Sequence, residues 1–103
     1  MPKLKLKQDP TFSANVRVPI PGAVPVVVAF TFTNRTRVQF ETWVKGLDGQ
    51  TKEEAVMAMA TGWELEDEFN EDNVRELLTN YLGAFDAIFE TYLTEITQAK
   101  VKN

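Results

Sequence analysis

The chain has 103 residues, 44% of them hydrophobic and 25% charged, which is the composition of one ordinary globular domain. It contains no cysteine and no histidine, which excludes disulfides, thiolate metal sites, cysteine nucleophiles and every Ser-His or Cys-His catalytic arrangement. The net charge of −4 is unevenly distributed: residues 1–50 carry seven basic and three acidic side chains, and residues 51–103 carry four basic and twelve acidic ones.

This uneven charge predicts how the protein associates. A basic first half and an acidic second half favour head-to-tail contacts between copies, or a basic partner for the second half. Nucleic acid is not expected as a ligand, because the basic residues are sparse and the aromatic residues fall on predicted inner faces. The longest apolar stretch, residues 23–30, is interrupted by Pro25 and is far shorter than the roughly 20 residues of a membrane span. We therefore expect a soluble protein of the cytoplasm without a membrane partner.

The first predicted elements form a β-hairpin. Apolar and polar residues alternate over residues 11–18, as is typical of a half-buried strand. Its inner face is predicted to carry Phe12, Ala14, Val16 and Val18. Pro21-Gly22 predicts a turn, because proline presets φ at the second position and glycine accepts a positive φ at the third. Leu4 and Leu6 alternate with lysines in the same way, so residues 1–10 are open to two interpretations, a third strand or a mobile arm.

The second strand of the hairpin is predicted over residues 24–33. Its inner face is predicted to carry Val24, Val26, Val28, Phe30 and Phe32. The outer face is partly apolar at Val27 and Ala29, which suggests that another subunit covers it.

Two capped helices are predicted to follow the hairpin. Thr36 with Gln39, and Thr51 with Glu54, match the capping-box pattern at a helix N-terminus. The first helix is expected to end at Gly46, and the second at Gly62. Their inner faces are predicted to carry Phe40, Trp43, Val44 and Leu47 in the first helix and Ala55, Val56, Met59 and Ala60 in the second.

Two further helices are predicted in the C-terminal part of the chain. Asn70 caps the third helix and Gly83 breaks it. Its inner face is predicted to carry Val74, Leu77, Leu78, Tyr81 and Leu82. The fourth helix has a six-position apolar stripe, made of Phe85, Ile88, Phe89, Tyr92, Leu93 and Ile96. This stripe is expected to face the core, and the alternative is a groove that receives a partner helix.

The order of these elements predicts an α+β fold. A β-hairpin, with a third short strand as one possibility, is followed by a bundle of about four helices in a single domain, residues 1–103. A hairpin is marginal on its own, so it is expected to lean on the helices.

The most informative segment lies between the second and third helices, at residues 62–73. It carries six carboxylates, Glu64, Glu66, Asp67, Glu68, Glu71 and Asp72, around three apolar anchors, Trp63, Leu65 and Phe69. Two interpretations are open for the carboxylates: a binding surface for basic stretches of a partner, or a solvated turn that favours the N-terminus of the third helix. The anchors are likewise either a partner-facing patch or pins that hold the loop to its own core. The spacing does not match a calcium-binding loop, and no pocket for carboxylate catalysis is indicated.

Several short pieces, in a shared order and spacing between about residue 4 and about residue 97, carry a family resemblance. They are the lysine-rich start with Asp9-Pro10-Thr11-Phe12, then Val18-Pro19-Ile20-Pro21-Gly22, Phe30-Thr31-Phe32, Ala55-Val56-Met57, residues 62–70, Asn80-Tyr81 and Ala87-Ile88-Phe89-Glu90. In this arrangement the chain resembles the tail assembly chaperones of long-tailed, siphovirus-type bacteriophages and prophages.

The resemblance implies a non-enzymatic chaperone without a cofactor or metal. Such a protein binds the tape measure protein, keeps it soluble and promotes tail tube assembly, with the tail tube protein as a further partner. It is expected to form a homo-oligomer in the cytoplasm of the infected or lysogenic host and to be absent from the mature virion. The alternative is a generic interaction or structural module of a phage particle. The candidate partner-binding residues are Trp63, Leu65, Glu66, Asp67, Glu68, Phe69, Val27 and Ala29.

Overall fold

The computed structural model describes Leu4 and residues 6–98, and this part of the chain forms a three-stranded antiparallel sheet and four α-helices. The elements are β1 (Thr11–Val18), β2 (Val26–Thr33), α1 (Arg37–Lys45), a 3-10 turn (Leu47–Gly49), α2 (Lys52–Met59), β3 (Ala60–Trp63), α3 (Glu71–Asn80) and α4 (Ala84–Thr97). The predicted α+β class is confirmed.

The hairpin of β1 and β2 has the predicted turn and pairing. The strands pair from Thr11 opposite Thr33 to Val18 opposite Val26. Gly22 has a φ of 78°, and the Ala23 N–H donates to the Ile20 carbonyl at 3.0 Å, which closes the turn.

At the turn end of β2, two of the residues predicted for the inner face are not buried. The strand begins at Val26 rather than at Val24, and these two side chains are 51% and 80% exposed. Alternation places Val26 on the inner face, but no helix covers that face so close to the turn. Val28, Phe30 and Phe32 are buried as predicted.

The third strand comes from a segment that the sequence pattern assigned to a helix. The expected end of α2 at Gly62 was wrong: the helix ends at Met59, because Ala60–Trp63 pairs with β2 as β3. Phe30 lies opposite Trp63, and the register shifts between Thr31 and Phe32. In the N-terminal segment, Leu4 and residues 6–10 belong to no strand, whereas residues 1–3 and 5 lie outside the described part.

Three helices begin at the residues that the sequence predicted as N-caps. The Gln39 N–H donates to Thr36 Oγ1 at 3.2 Å, and the Glu54 N–H donates to Thr51 Oγ1 at 3.1 Å. Both reciprocal side-chain bonds are present, so both capping boxes are confirmed. The Asn70 side chain caps α3 in the predicted manner.

The core lies between the inner face of the sheet and the helices. Its buried side chains are Val16, Val18, Val28, Phe30, Phe32, Trp43, Ala55, Val56, Met59, Ala60, Val74, Ala84, Ile88 and Tyr92. Two residues predicted to face inward do not: Val44 is 42% exposed and Leu82 is 85% exposed. Leu82 lies in the turn after α3 has ended at Asn80, and the short α1 buries only Trp43.

A polar network closes the core where β2 meets α1 and α4. The Arg35 guanidinium donates to the Tyr92 hydroxyl at 2.7 Å and to the Ala58 carbonyl at 2.8 Å, and Tyr92 in turn donates to the Thr33 carbonyl at 2.8 Å. The guanidinium also lies 5.0 Å from the centroid of the Trp43 ring, within the range of a cation–π contact. Burial raises the pKa of the Tyr92 hydroxyl above its ordinary value, and Arg35 offsets part of that rise. We call Arg35, Tyr92 and the Thr33 carbonyl the closed end.

Candidate partner-binding groove

At the other end of the same sheet face, a groove opens between the hairpin turn and α3. Its volume is about 360 Å³, within the range of roughly 300–1,000 Å³ that is usual for binding pockets. The sheet and the hairpin turn supply apolar lining through Val18, Ile20, Val26, Val28, Phe30 and Trp63. Leu65 extends this lining beyond β3, and Leu77 and Tyr81 provide the opposite wall.

The groove also has a polar border with acidic groups. Asp67 lies on the side of the loop after β3, and Asn73, Glu76 and Asn80 lie on the side of α3. On α3, Asn73, Glu76 and Asn80 share one face with Leu77, because their spacing follows the helical repeat. The groove therefore combines an apolar floor with carboxylates at its edge, a pattern that suits an apolar segment carrying basic residues.

The loop after β3, residues 64–70, contributes Asp67 to this border and is held in place by hydrogen bonds to its main chain. We call it the acidic loop. The Trp63 indole donates to the Asp67 carbonyl at 2.7 Å, and the Asn73 side-chain amide donates to the Glu68 carbonyl at 2.7 Å. The Glu64 N–H donates to the Ala29 carbonyl at 2.9 Å and so extends the pairing with β2. These bonds use main-chain oxygens, which leaves the carboxylates free to point outward.

The aromatic anchors join the acidic loop to the core. The Trp63 ring meets Phe30 edge-on at 5.8 Å between centroids and meets Phe69 edge-on at 5.1 Å. Phe69 and Trp63 thus act as pins, which was one of the two open interpretations. Trp63 and Leu65 also line the groove, so the partner-facing interpretation remains a prediction for these two residues.

The carboxylates of the segment divide into two groups. Glu71 and Asp72, in the first turn of α3, form ion pairs with Arg75 at 3.4 Å and 3.0 Å. Glu66, Asp67 and Glu68 are exposed, and no ion pair within residues 6–98 includes them. The acidic loop is therefore a fixed surface whose negative charge is available to a partner.

Val27 and Ala29 lie apart from this groove, on the opposite face of the sheet. Val27 is 51% exposed and lies opposite Arg17 on β1, and Ala29 is half-buried opposite Asn15. The predicted binding residues therefore form two separate surfaces. Trp63, Leu65 and Asp67 come together in the groove with Glu66, Glu68 and Phe69 on its loop, whereas Val27 and Ala29 share the outer sheet face.

Several groove residues were predicted only as core. Val18, Val26, Leu77 and Tyr81 follow the apolar patterns of their strands and helix, and these patterns do not reveal whether a neighbour covers them. One available signal was the spacing of Asn73, Glu76 and Asn80 around Leu77, because a helix face with so many polar groups is poorly suited to a closed core.

Metal binding was one other chemistry open to the carboxylates. Within residues 6–98 and Leu4, no three carboxylates come close enough to hold a metal ion.

Among the helices described, none has the length and apolarity needed to cross a membrane.

The fold and the groove define a small α+β protein with an apolar groove that has an acidic border. A family model described as phage tail assembly chaperone matches residues 1–103, and the chain belongs to that family. The resemblance noted in the sequence is thereby confirmed. Comparison with curated proteins and with solved structures gives no match.

Proposed function

We propose that this protein binds the tape measure protein of its phage, keeps it soluble and promotes assembly of the tail tube around it. Family membership supports a chaperone role, and such a role suggests binding rather than catalysis. The single observation that carries the proposal is the apolar groove with an acidic border, formed by Trp63, Leu65 and α3.

The groove fits the chemistry of a helical client. A long client helix exposes apolar side chains that aggregate in water, and a groove of this size takes up a few of them at a time. Binding then removes apolar surface from water, which supplies the free energy of association. Asp67, Glu76 and the exposed Glu66 and Glu68 attract lysine or arginine residues of the client and orient it.

The remaining parts of the proposal follow from the same role. The protein acts in the cytoplasm of the infected or lysogenic bacterium, where the client is synthesised, and it leaves before the virion is complete. The tail tube protein is a second partner, and self-association presents several grooves to one long client. Val27 and Ala29, on the outer sheet face, are the candidate surface for these further contacts.

Co-expression with the tape measure protein tests this function. We expect the tape measure protein to be soluble and to co-purify with the wild-type chaperone. Leu65→Lys places a cation in the groove and should reduce the co-purified amount by about tenfold or more. Leu65 is 39% exposed, so the substitution should leave the fold intact.

Leu82→Lys is the matched control. Leu82 is also a loop leucine, 85% exposed, but it does not line the groove, so this variant should retain the client. A tape measure protein that stays insoluble and unbound with the wild type would refute the proposed function. Equal retention by both variants would refute the groove as its site.

A further inference from the structure

We propose that the side of β1 that faces away from β2 is a docking site for an extended segment of a partner protein, with lysine or arginine at every second position. Such a segment joins the sheet as an antiparallel strand beside β1. The site lies apart from the groove, so this inference goes beyond the proposed function and concerns a second partner.

β1 is an edge strand whose main chain offers hydrogen bonds on the side away from β2. In the described part of the chain the strand order is β1-β2-β3, so no strand pairs with that side. The Asn34 N–H donates to the Pro10 carbonyl at 2.9 Å, in line with the register of β1 and β2. Because bonded pairs alternate along an antiparallel ladder, every second residue from Phe12 to Val18 bonds to β2. The residues between them direct their main-chain groups outward and form what we call the free edge: Thr11, Ser13, Asn15 and Arg17.

The two edges of the sheet differ in how they are protected against pairing with another strand. β3 has only four residues, and a register shift interrupts its pairing with β2; both features limit strand addition. β1 has eight residues, an unbroken register and no proline. Its one charged side chain, Arg17, lies on the outer sheet face. The free edge of β1 is therefore long enough and regular enough to accept a strand.

α4 runs beside β1 in the opposite direction. Pro19, just after β1, lies against Gly83, and near the start of the strand the Phe12 ring stacks on the Tyr92 ring with centroids 6.1 Å apart. A cleft of about 580 Å³ lies between the two elements. Its lining includes Asn15 and Arg17 from the strand and Asp86 and Glu90 from the helix.

The carboxylates in this cleft determine which strand fits. Asp86 and Glu90 are exposed, and within the described residues neither takes part in an ion pair. They are four residues apart on α4, which is about 6 Å along the helix axis. Alternate residues of a strand are about 6.6 Å apart, and their side chains point to the same side. Lysine or arginine at alternate positions of an added strand can therefore meet both carboxylates.

The positions between these cations lie on the outer sheet face. There the added strand is next to Ser13, Asn15 and Arg17 of β1, which are polar and exposed. Cross-strand neighbours on one face contact each other, so small polar residues with high strand propensity, such as threonine, suit these positions. The partner segment thus has basic residues toward α4 and small polar residues toward the outer face.

Two other occupants fit this chemistry less well. A second copy that pairs β1 with β1 brings its own α4 to the same edge, so the carboxylates of Asp86 and Glu90 in the two copies repel each other. The start of the same chain has lysines at alternate positions, but Leu4 and Leu6 stand between them and would lie on the polar outer face. In the structure these leucines are 93% and 99% exposed.

A peptide probe tests the free edge directly. The probe is a peptide of alternating lysine and threonine, as long as β1, which is titrated into the labelled full chain and followed by NMR. Binding should shift the backbone amide signals of Ser13, Asn15 and Arg17, and leave those of groove residues 63–67 and 77–81 nearly unchanged. A peptide of alternating glutamate and threonine should bind about tenfold more weakly or less. Equal binding of the two peptides would overturn the inference.

Methylation of the peptide main chain tests the antiparallel pairing. Residues paired in an antiparallel ladder point to the same face, so the threonines are the residues that bond to the free edge. N-methylation of the threonines should abolish binding. N-methylation of the lysines, whose N–H groups point away from β1, should leave binding nearly unchanged. If the two methylated peptides bind alike, the main chain of β1 is not used and the inference falls.

Variants of the protein test both sides of the cleft. Asn15→Pro removes one outward N–H without removing a bond to β2 and should weaken peptide binding about tenfold, whereas Asn15→Thr keeps that N–H and should bind like the wild type. Asp86→Asn/Glu90→Gln should also weaken binding about tenfold, and it keeps the test decisive should Asn15→Pro fail to fold. Its control, Glu41→Gln/Asp48→Asn, neutralises two exposed carboxylates outside the cleft. Wild-type affinity of Asp86→Asn/Glu90→Gln would overturn the inference.

The other occupants and the groove give results of their own. If only Lys3→Glu/Lys5→Glu/Lys7→Glu binds the peptide and the wild type does not, the start of the same chain fills the free edge. If the wild type is a dimer that Asn15→Pro dissociates, a second copy fills it. Either result would overturn the inference. Folded Asn15→Pro should still co-purify with the tape measure protein, so failure of the proposed function is measured separately from failure of the free edge.

Discussion

The inner face of β2 has two ends that differ in how the chain covers them. At the closed end, Phe32 is fully buried, its ring lies 5.3 Å from that of Tyr92, and Arg35 joins Tyr92 to the Ala58 carbonyl. Toward the turn, the same face continues through Val28 to Val26, which is 51% exposed in the groove. One strand face thus serves folding at one end and is left available for binding at the other.

This difference teaches that the alternation of a strand does not by itself identify core. Phe32 and Val26 occupy equivalent positions in the pattern, six residues apart on the same side. The helices decide which of them is covered: α4 reaches the Phe32 end, whereas α3 leaves a gap of about 360 Å³ near the turn. Stability and binding should therefore respond to different substitutions along one strand.

The largest difference in the free energy of unfolding is expected between the variants Phe32→Ala and Val26→Ala. Phe32→Ala leaves a cavity in the closed core and should lower the free energy of unfolding by about 3–5 kcal/mol. Val26→Ala should lower it by less than about 1 kcal/mol, because half of the side chain is already exposed. Urea unfolding monitored by circular dichroism measures both. Equal losses of unfolding free energy in the two variants would contradict the difference between the two ends of the strand.

The next effect concerns the hydrogen bonds of the closed end. Tyr92→Phe keeps the buried ring but removes the hydroxyl that accepts from Arg35 and donates to the Thr33 carbonyl, and it should destabilise by about 1–3 kcal/mol. Tyr81→Phe is the matched control, because Tyr81 is a half-buried groove residue and should change stability by less than about 0.5 kcal/mol. Urea unfolding at pH 7 should rank the two variants in this order. If the Tyr92→Phe variant were as stable as the wild type, these hydrogen bonds would contribute little to the stability of the fold.

Because the Tyr92 hydroxyl is buried, we expect the stability of the protein to depend on pH in the alkaline range. Burial raises the pKa of folded Tyr92, so the unfolded chain releases this proton first as the pH rises. The contribution of the neutral hydroxyl is complete below the unfolded pKa of about 10 and is lost as the pH rises toward the folded value. The free energy of unfolding of the wild type should therefore fall more steeply above pH 10 than that of Tyr92→Phe. Parallel curves would contradict this assignment.

The smallest effect on stability is expected at the acidic loop. Neutralising Glu66, Asp67 and Glu68 together, as Glu66→Gln/Asp67→Asn/Glu68→Gln, should change the free energy of unfolding by no more than about 0.5 kcal/mol. Client affinity should fall and become less sensitive to salt, because exposed charges act at a distance and are screened. The control neutralises exposed carboxylates elsewhere, as Glu41→Gln/Asp48→Asn/Glu90→Gln. If both triple variants bind the client like the wild type, the acidic loop is only a solvated turn.

The sequence predicted those features that depend on neighbouring residues. Capping boxes and the Pro21-Gly22 turn are local patterns, and the stripe of α4 is long enough to be unambiguous. The strand β3 could not be predicted in this way, because Ala60 and Gly62 have low strand propensity and only pairing with β2 makes them a strand. The groove depends on where α3 stops short of the sheet, which is a tertiary property. The anchors Trp63 and Phe69 were found because aromatic residues in an acidic segment stand out.

The most direct test of the account is an NMR titration of the labelled protein with a fragment of the tape measure protein. Binding in the groove should shift the backbone amide signals of residues 63–67 and 77–81, and leave those around Arg35 and Tyr92 nearly unchanged. Shifts confined to the outer sheet face around Val27 and Ala29, or to the closed end, would contradict the claim that the open end of β2 is the binding site.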